Sequence, residues 1–276
     1  MKIAHIVNPV SVGLSSDLFE AQPVTFKTMQ MAAELAKTKG IEVSLYAAQY
    51  AEDRAIVPEG FIATKNLEAS ILDHGTFSAN RKLPILKDIL GRLYESAVDA
   101  DYLIYTNVDI GLLPFFYITV ADFIEKGYDA ISINRRTIPS QLSKEKNLAT
   151  VFAHAGEKHP GFDCFVFKRS VYPQYQLGSI CIGIPPIGRA LLANLVANAT
   201  KFGDFKDLHA TFHFGDDGPW RKNPSMHGMM FHNLEQFDRI IEHYERNGKF
   251  SEHNKELVEY VKNHRAHLWL PGYKKV

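Results

Sequence analysis

The chain has 276 residues, enough for one large α/β domain, or for such a domain with a helical appendage, and enough to bury a substantial core. Lysine plus arginine and aspartate plus glutamate both number 31, so the formal charge is zero and nucleic acid, held mainly by counterion release, is a poor fit as a partner. Two cysteines, Cys164 and Cys181, without C-x-x-C spacing, are too few for a disulfide framework and suit a reducing, cytoplasmic setting.

In chain order, "KIAHIV" at 2–7 reads as a buried strand, and His5, Asn8 and Pro9 interrupt any signal-peptide core. A loop with Gly13, Ser15, Ser16 and Asp17 leads to a helix predicted over 24–39, with Met29, Ala32, Ala33 and Ala36 as its apolar face and Gly40 as its stop. The strand "IEVSLYA" completes a βαβ unit. After a less regular stretch from 49 to 80, Leu86, Ile89, Leu90 and Leu93 recur at helical spacing, and a strand at 101–106 follows. A helix starting near Pro114 carries Phe116, Val120, Phe123 and Ile124 on one side and ends at Gly127 before the strand "DAISIN". The longest apolar stretch, Leu112 to Ile124, contains Pro114 and Asp122 and is shorter than the roughly 20 residues that span a bilayer, so no transmembrane segment is expected. Then come a polar loop around 135–160, the strand "FDCFVF", a helix at 186–199, the stretch "DLHATFHFGDDGPW" and two helices, roughly 232–246 and 252–264. This order predicts an α/β fold with a mostly parallel central sheet flanked by helices, a mixed C-terminal region, and ligands at the carboxyl ends of the strands.

Three stretches offer chemistry. In "YLIYTNVDIGL" the outer side chains of Asn107-Val108-Asp109 point to the same side at a strand end, where oxygen ligands can hold a hard cation such as Mg²⁺ or Mn²⁺ on substrate phosphates; Asp109 capping a turn is the plainer alternative. In "HATFHFGDDGPW", His209 and His213 precede the Asp216-Asp217 pair, with a strand ending in an Asp-Gly turn as the alternative. In "GFDCFVF", Asp163 interrupts an apolar strand, where a carboxylate is costly to bury unless paired or used; it serves as a general base or as an exposed strand start. Arg81 and Lys82, and Arg135 and Arg136, are candidates to reach a diphosphate, although solvated surface is the ordinary place for any one of them. "GIPPIGR" at 183–189 is not a phosphate loop, because Pro185 and Pro186 lack the N–H groups such a loop uses, and no G-x-G-x-x-G, G-x-S-x-G or H-E-x-x-H occurs.

Taken together, these stretches resemble the GT-A type of nucleotide-sugar-dependent glycosyltransferase, a Rossmann-like nucleotide-diphospho-sugar transferase fold. "DYLIYTNVDIGL" looks like its Asp-x-Asp segment in an Asn-x-Asp form, "GFDCFVFKRSVYP" with "IGIPPIGRALLANL" looks like its acceptor-side strand and following helix, and "HATFHFGDDGPW" falls where many members supply a late histidine. The resemblance covers about 1–235, with 236–276 as a helical extension of the same domain. It implies sugar transfer from a nucleoside-diphosphate sugar to a hydroxyl acceptor, a divalent metal on Asp109 and His213, Asn107 beside it, and Asp163 as the acceptor-side carboxylate, with Asp216 or Asp217 competing for that job. Asn107 in place of Asp, and Ile187-Gly188 where relatives carry a larger residue such as Trp, are its departures. A sugar-phosphate nucleotidyltransferase fits less well, since "NPVSVGLSSDLFEAQP" has one Gly and no basic residue. A non-catalytic nucleotide- or carbohydrate-binding protein of the same fold stays open, as does a homo-oligomer.

Overall fold

The computed structural model describes residues 1–215, 223–250, 254–263 and 270. Contacts group these into two compact units. The first comprises 1–67, 90–172 and the described part of 200–216; the second comprises 68–89, 173–199 and the described part of 217–276.

The first unit is built on β1 (Lys2–Val7), α1 (Leu18–Lys37) and β2 (Glu42–Ala47), the βαβ unit that the periodicity predicts. The helix begins at Leu18, ahead of the predicted start. A turn bonding Ser16 N–H to the Gly13 carbonyl, and Phe19 N–H to the Ser16 carbonyl, starts it early, so Pro23 lies inside the helix and offers no N–H to the carbonyl of Phe19. Gln22 on this helix brackets Val10, accepting from its N–H and donating to its carbonyl at 2.9 Å each, and so ties the loop after β1 to the helix.

The remaining strands are β3 (Ile62–Ala63), β4 (Tyr102–Thr106), β5 (Gly111–Leu112), β6 (Ala130–Ile133), β7 (Arg136–Ile138), β8 (Glu157–Lys158), β9 (Cys164–Lys168), β10 (Phe202–Phe205) and β11 (Thr211–Phe214). Seven form one sheet in the order β10-β6-β9-β4-β1-β2-β3, parallel throughout except for β9, which runs against both β4 and β6. On one face Ile3, Val7, Leu45, Ile104, Val166 and Ile131 alternate into a core shared with Met29, Ala32 and Ala36 of α1 and with Phe116 and Val120 of α3 (Phe116–Glu125). His5 lies on the same alternation and is fully buried, its ring nitrogens bonded to Tyr117 Oη at 2.8 Å and Thr106 Oγ1 at 2.9 Å. A second sheet, β5-β11-β7-β8, lies where β4 ends.

The second unit has its own core of Ile71, Ile85, Cys181, Ile184, Met229, Met230 and Leu234. It contains α5 (Ile187–Asn198), α6 (His227–Arg246) and α7 (Lys255–Lys262); α4 (Leu148–Ala153) belongs to the first unit, and α2 (Leu86–Ser96) leads from the second into the first. The guanidinium of Arg189 on α5 donates to the carbonyls of Tyr260 and Val261 and stacks over the Tyr260 ring, 4.7 Å from its centroid. Both cysteines are buried and free. No helix among the described residues is long and apolar enough to cross a membrane.

Candidate functional site

The carboxyl end of β4 is the centre of the site. The backbone turns at Asn107, whose carbonyl accepts from Ile110 N–H, and then enters β5. That strand pairs antiparallel with β11, Leu112 opposite Thr211 and Gly111 opposite Phe212, which carries His213 back toward Asp109 across a gap of 104 positions in sequence. Gly111 is required by the close approach: a Cβ there would lie 2.3 Å from Phe212 Cζ.

Asp109 Oδ2 lies 3.4 Å from His213 Nε2, while its Oδ1 is buried with no hydrogen-bond donor among the described residues. His213 Nδ1 lies 2.9 Å from the Gly215 carbonyl, an acceptor only, so Nδ1 carries a proton, and Nε2, which carries the second proton when the imidazole is charged and donates it to Asp109, is a free lone pair when the ring is neutral. Gly215 has a φ of +71°, which glycine adopts without strain, and its N–H donates to Ile138 of β7. Burial pushes the Asp109 carboxyl up, but the bond to His213 and the charges of His213 and Arg135 outweigh it and hold its pKa below the usual carboxylate value. Burial pushes the His213 imidazole down, and the bond to Asp109 with its charge outweighs that, so the net direction is upward.

An orphaned, buried carboxylate oxygen beside an imidazole nitrogen is a donor set suited to a hard divalent cation that completes its shell with diphosphate oxygens and water. No group of three or more His, Cys, Asp or Glu arranged to hold a metal occurs among the described residues. Asn107 is engaged differently: its Oδ1 accepts from the hydroxyl of Tyr105 at 2.9 Å.

Asp163 lies just before β9 and is buried, not at an exposed strand start. Its partner is Arg135, for which solvated surface is the sequence expectation; the guanidinium is instead fully buried, with Nη1 donating to Asp163 Oδ1 at 3.0 Å. The sequence signal is the adjacency of Arg135 and Arg136 near a strand end, since neighbours in extended backbone point to opposite sides and one of the two turns inward. Arg136 takes the outer side, donating to the carbonyls of Ala155 and Gly156 and pairing with Asp207 at 3.2 Å. Arg81 and Lys82 are exposed residues of the second unit. Asp216 and Asp217 lie outside the described residues.

No protein-family profile matches the chain, and no curated protein sequence does. Solved structures do. S. aureus TarS residues 1–349 in complex with UDP-GlcNAc aligns over 98% of this chain and 73% of that one with a TM-score of 0.57 at 11% identity. The same protein with UDP gives 97%, 72%, 0.54 and 12%. The mannosyltransferase PcManGT from Pyrobaculum calidifontis, in complex with GDP-Man and Mn²⁺, gives 96%, 69%, 0.52 and 11%. At such identities the likeness speaks to architecture, and the chain has the GT-A glycosyltransferase fold.

Proposed function

We propose that the chain transfers a sugar from a nucleoside-diphosphate donor to a hydroxyl acceptor, with Asp109 and His213 holding Mn²⁺ or Mg²⁺ at the donor diphosphate. The observation that carries this is the buried Asp109 Oδ1, which has no hydrogen-bond donor among the described residues, with His213 brought beside the carboxylate by the β5–β11 pairing. It is supported by the nucleotide sugars and Mn²⁺ bound in the structures of the same fold. When bound, the cation offsets the negative charge that builds on the leaving diphosphate.

In the proposed reaction the acceptor oxygen bonds to the anomeric carbon, the bond from that carbon to the diphosphate oxygen breaks, and its electron pair leaves with the diphosphate. The acceptor proton goes to a carboxylate. Asp163 is engaged by Arg135, so Asp216 or Asp217, shortly after His213, is proposed for that proton. Gly215 accepting from His213 Nδ1 keeps the ring from rotating, and Nε2 therefore stays aimed at the cation position.

The test is calorimetric titration with UDP, GDP, CMP and dTDP, each with Mn²⁺ and with chelator, on the wild type, Asp109→Ala and His213→Ala. Expected is metal-dependent binding of one nucleotide, abolished in Asp109→Ala and weakened roughly 10- to 100-fold in His213→Ala. Unchanged binding in both variants would overturn the site.

A further inference from the structure

The short strand β5, which brings His213 beside Asp109, has a sheet neighbour on one side only, because it is the edge of the order β5-β11-β7-β8. On the β11 side Leu113 N–H donates to the Ala210 carbonyl at 2.9 Å. Consecutive N–H groups of a strand point to opposite sides, so Leu112 N–H points away from β11. Leu112 is fully buried, and a backbone N–H there needs a partner within the protein. That partner is a side chain of α1: Thr28 Oγ1 accepts from Leu112 N–H at 3.1 Å. The Thr28 hydroxyl proton is already committed, since it is donated to the Thr25 carbonyl at 2.9 Å, one turn back in the helix, which leaves the oxygen as the acceptor for Leu112. Thr28 is itself fully buried, so water does not compete for this bond. One hydroxyl of α1 therefore stands where a neighbouring strand would otherwise be.

We propose that Thr28 is a positioning residue for the donor site: its hydroxyl pins β5 to α1 and so sets the Asp109 carboxylate against the His213 imidazole. This rests on the donor-site reading given above. Asp109 lies in the turn from β4 to β5, whose near end is closed by Ile110 N–H donating to the Asn107 carbonyl at 3.2 Å and whose far end is held by β11 on one side and Thr28 on the other. Without the hydroxyl, Leu112 N–H is stranded in a dry place, and a strand of two residues relieves this by moving. Asp109, three positions before Leu112, moves with it, and the 3.4 Å approach to His213 Nε2 is lost. A metal site tolerates displacements of only about 0.5 Å, so the loss is read in cation affinity.

The experiment titrates Mn²⁺ alone into the wild type, Thr28→Val and Thr28→Ser, following free Mn²⁺ by its paramagnetic resonance signal and checking each fold by circular dichroism. Asn233→Leu serves as a control for general destabilisation, because Asn233 bonds the backbone of Cys181 and Ile184 in the second unit. Thr28→Val keeps the shape and deletes the hydroxyl, and is expected to bind Mn²⁺ roughly 10- to 100-fold more weakly. Thr28→Ser restores the acceptor and is expected to stay within roughly threefold of the wild type, as is Asn233→Leu. Should Thr28→Val fail to fold, Thr28→Ala decides: its smaller side chain admits a water to Leu112 N–H but leaves β5 unpinned, and binding is expected to weaken about tenfold or more. Wild-type affinity in the variant that decides, a Thr28→Ser protein as weak as that variant, or an equal loss in Asn233→Leu would each overturn the proposal while leaving the donor site standing. A wild type that takes up no Mn²⁺ would overturn the donor-site reading, and this proposal with it.

Discussion

Replacing Gly111 by alanine tests whether the β5–β11 pairing assembles the site. The added Cβ would lie 2.3, 2.6 and 2.7 Å from Cζ, Cε2 and Cε1 of Phe212, distances that real methyl groups do not reach. The ring has little freedom to retreat. It is 1% exposed, packs with Leu113, Ile138, Leu148 and Val151, and meets Phe152 and Phe214 edge-on at centroid distances of 6.3 and 5.4 Å. Either the ring leaves its place or the strands part, an overpacking that costs roughly 1–3 kcal/mol. Gly111 does not need a positive φ, so the backbone effect alone would stabilise by roughly 0.4–1 kcal/mol, and the sign of the change separates the two causes. Thermal melting reads the result: a loss of 2 kcal/mol lowers the midpoint by about 4–8 °C in a chain of this size. Mn²⁺ affinity should fall with it, since His213 is next to Phe212. Adding Phe212→Leu, which shortens the obstructing side chain, should return part of both losses. A Gly111→Ala protein that melts at or above the wild-type midpoint with unchanged Mn²⁺ affinity would refute the reasoning.

Two further outcomes follow from buried groups. Burial holds the His5 imidazole down at about 3, far below its usual 6.5, so its contribution to stability is complete above pH 6.5 and is lost as the pH falls toward 3, by up to about 5 kcal/mol. His5→Gln should flatten the stability profile across that window in denaturant titrations, and an unchanged slope would count against it. In the second unit Asn233 accepts from Cys181 N–H at 2.9 Å and donates to the carbonyls of Cys181 and Ile184 at 3.0 and 3.1 Å. Asn233→Leu strands three backbone groups and should cost roughly 3 kcal/mol or more; a melting point equal to that of the wild type would show the network to be dispensable.

What sequence reading reached depended on the length scale of each signal. β1, β2, β4 and β6 are legible because four to six consecutive apolar-rich residues are a local pattern. β5 has two residues, and its meaning lies in a partner a hundred positions away, so no window around Gly111 could disclose it. The start of α1 lies earlier than its apolar repeat, which begins at Met29, because the turn over Gly13 to Ser16 starts the helix at Leu18. Asp163 stood out as a carboxylate in an apolar setting, but a base and an ion pair look identical in one dimension. The difference is Arg135, 28 positions upstream and brought alongside by the β6–β9 register.

Asn107 shows how far the local motif can be pressed. The Tyr105 hydroxyl, buried in the strand that delivers the motif, donates to its Oδ1, so the side chain is held in place by the residue two positions earlier. Asn107→Asp keeps the shape and the acceptor for that hydroxyl and adds one negative charge two residues from Asp109. If Asp109 and His213 hold a divalent cation, the added charge should tighten Mn²⁺ binding about tenfold, which corresponds to about 1.4 kcal/mol of extra attraction in a partly solvated site. The Tyr105 bond should become charge-assisted at the same time, so the substitution should not cost stability. Direct titration with Mn²⁺ reads the first effect and melting the second. Mn²⁺ affinity that stays level, in a protein that melts as the wild type does, would mean that residue 107 serves the strand end alone and that the cation position is defined by Asp109 and His213 without it.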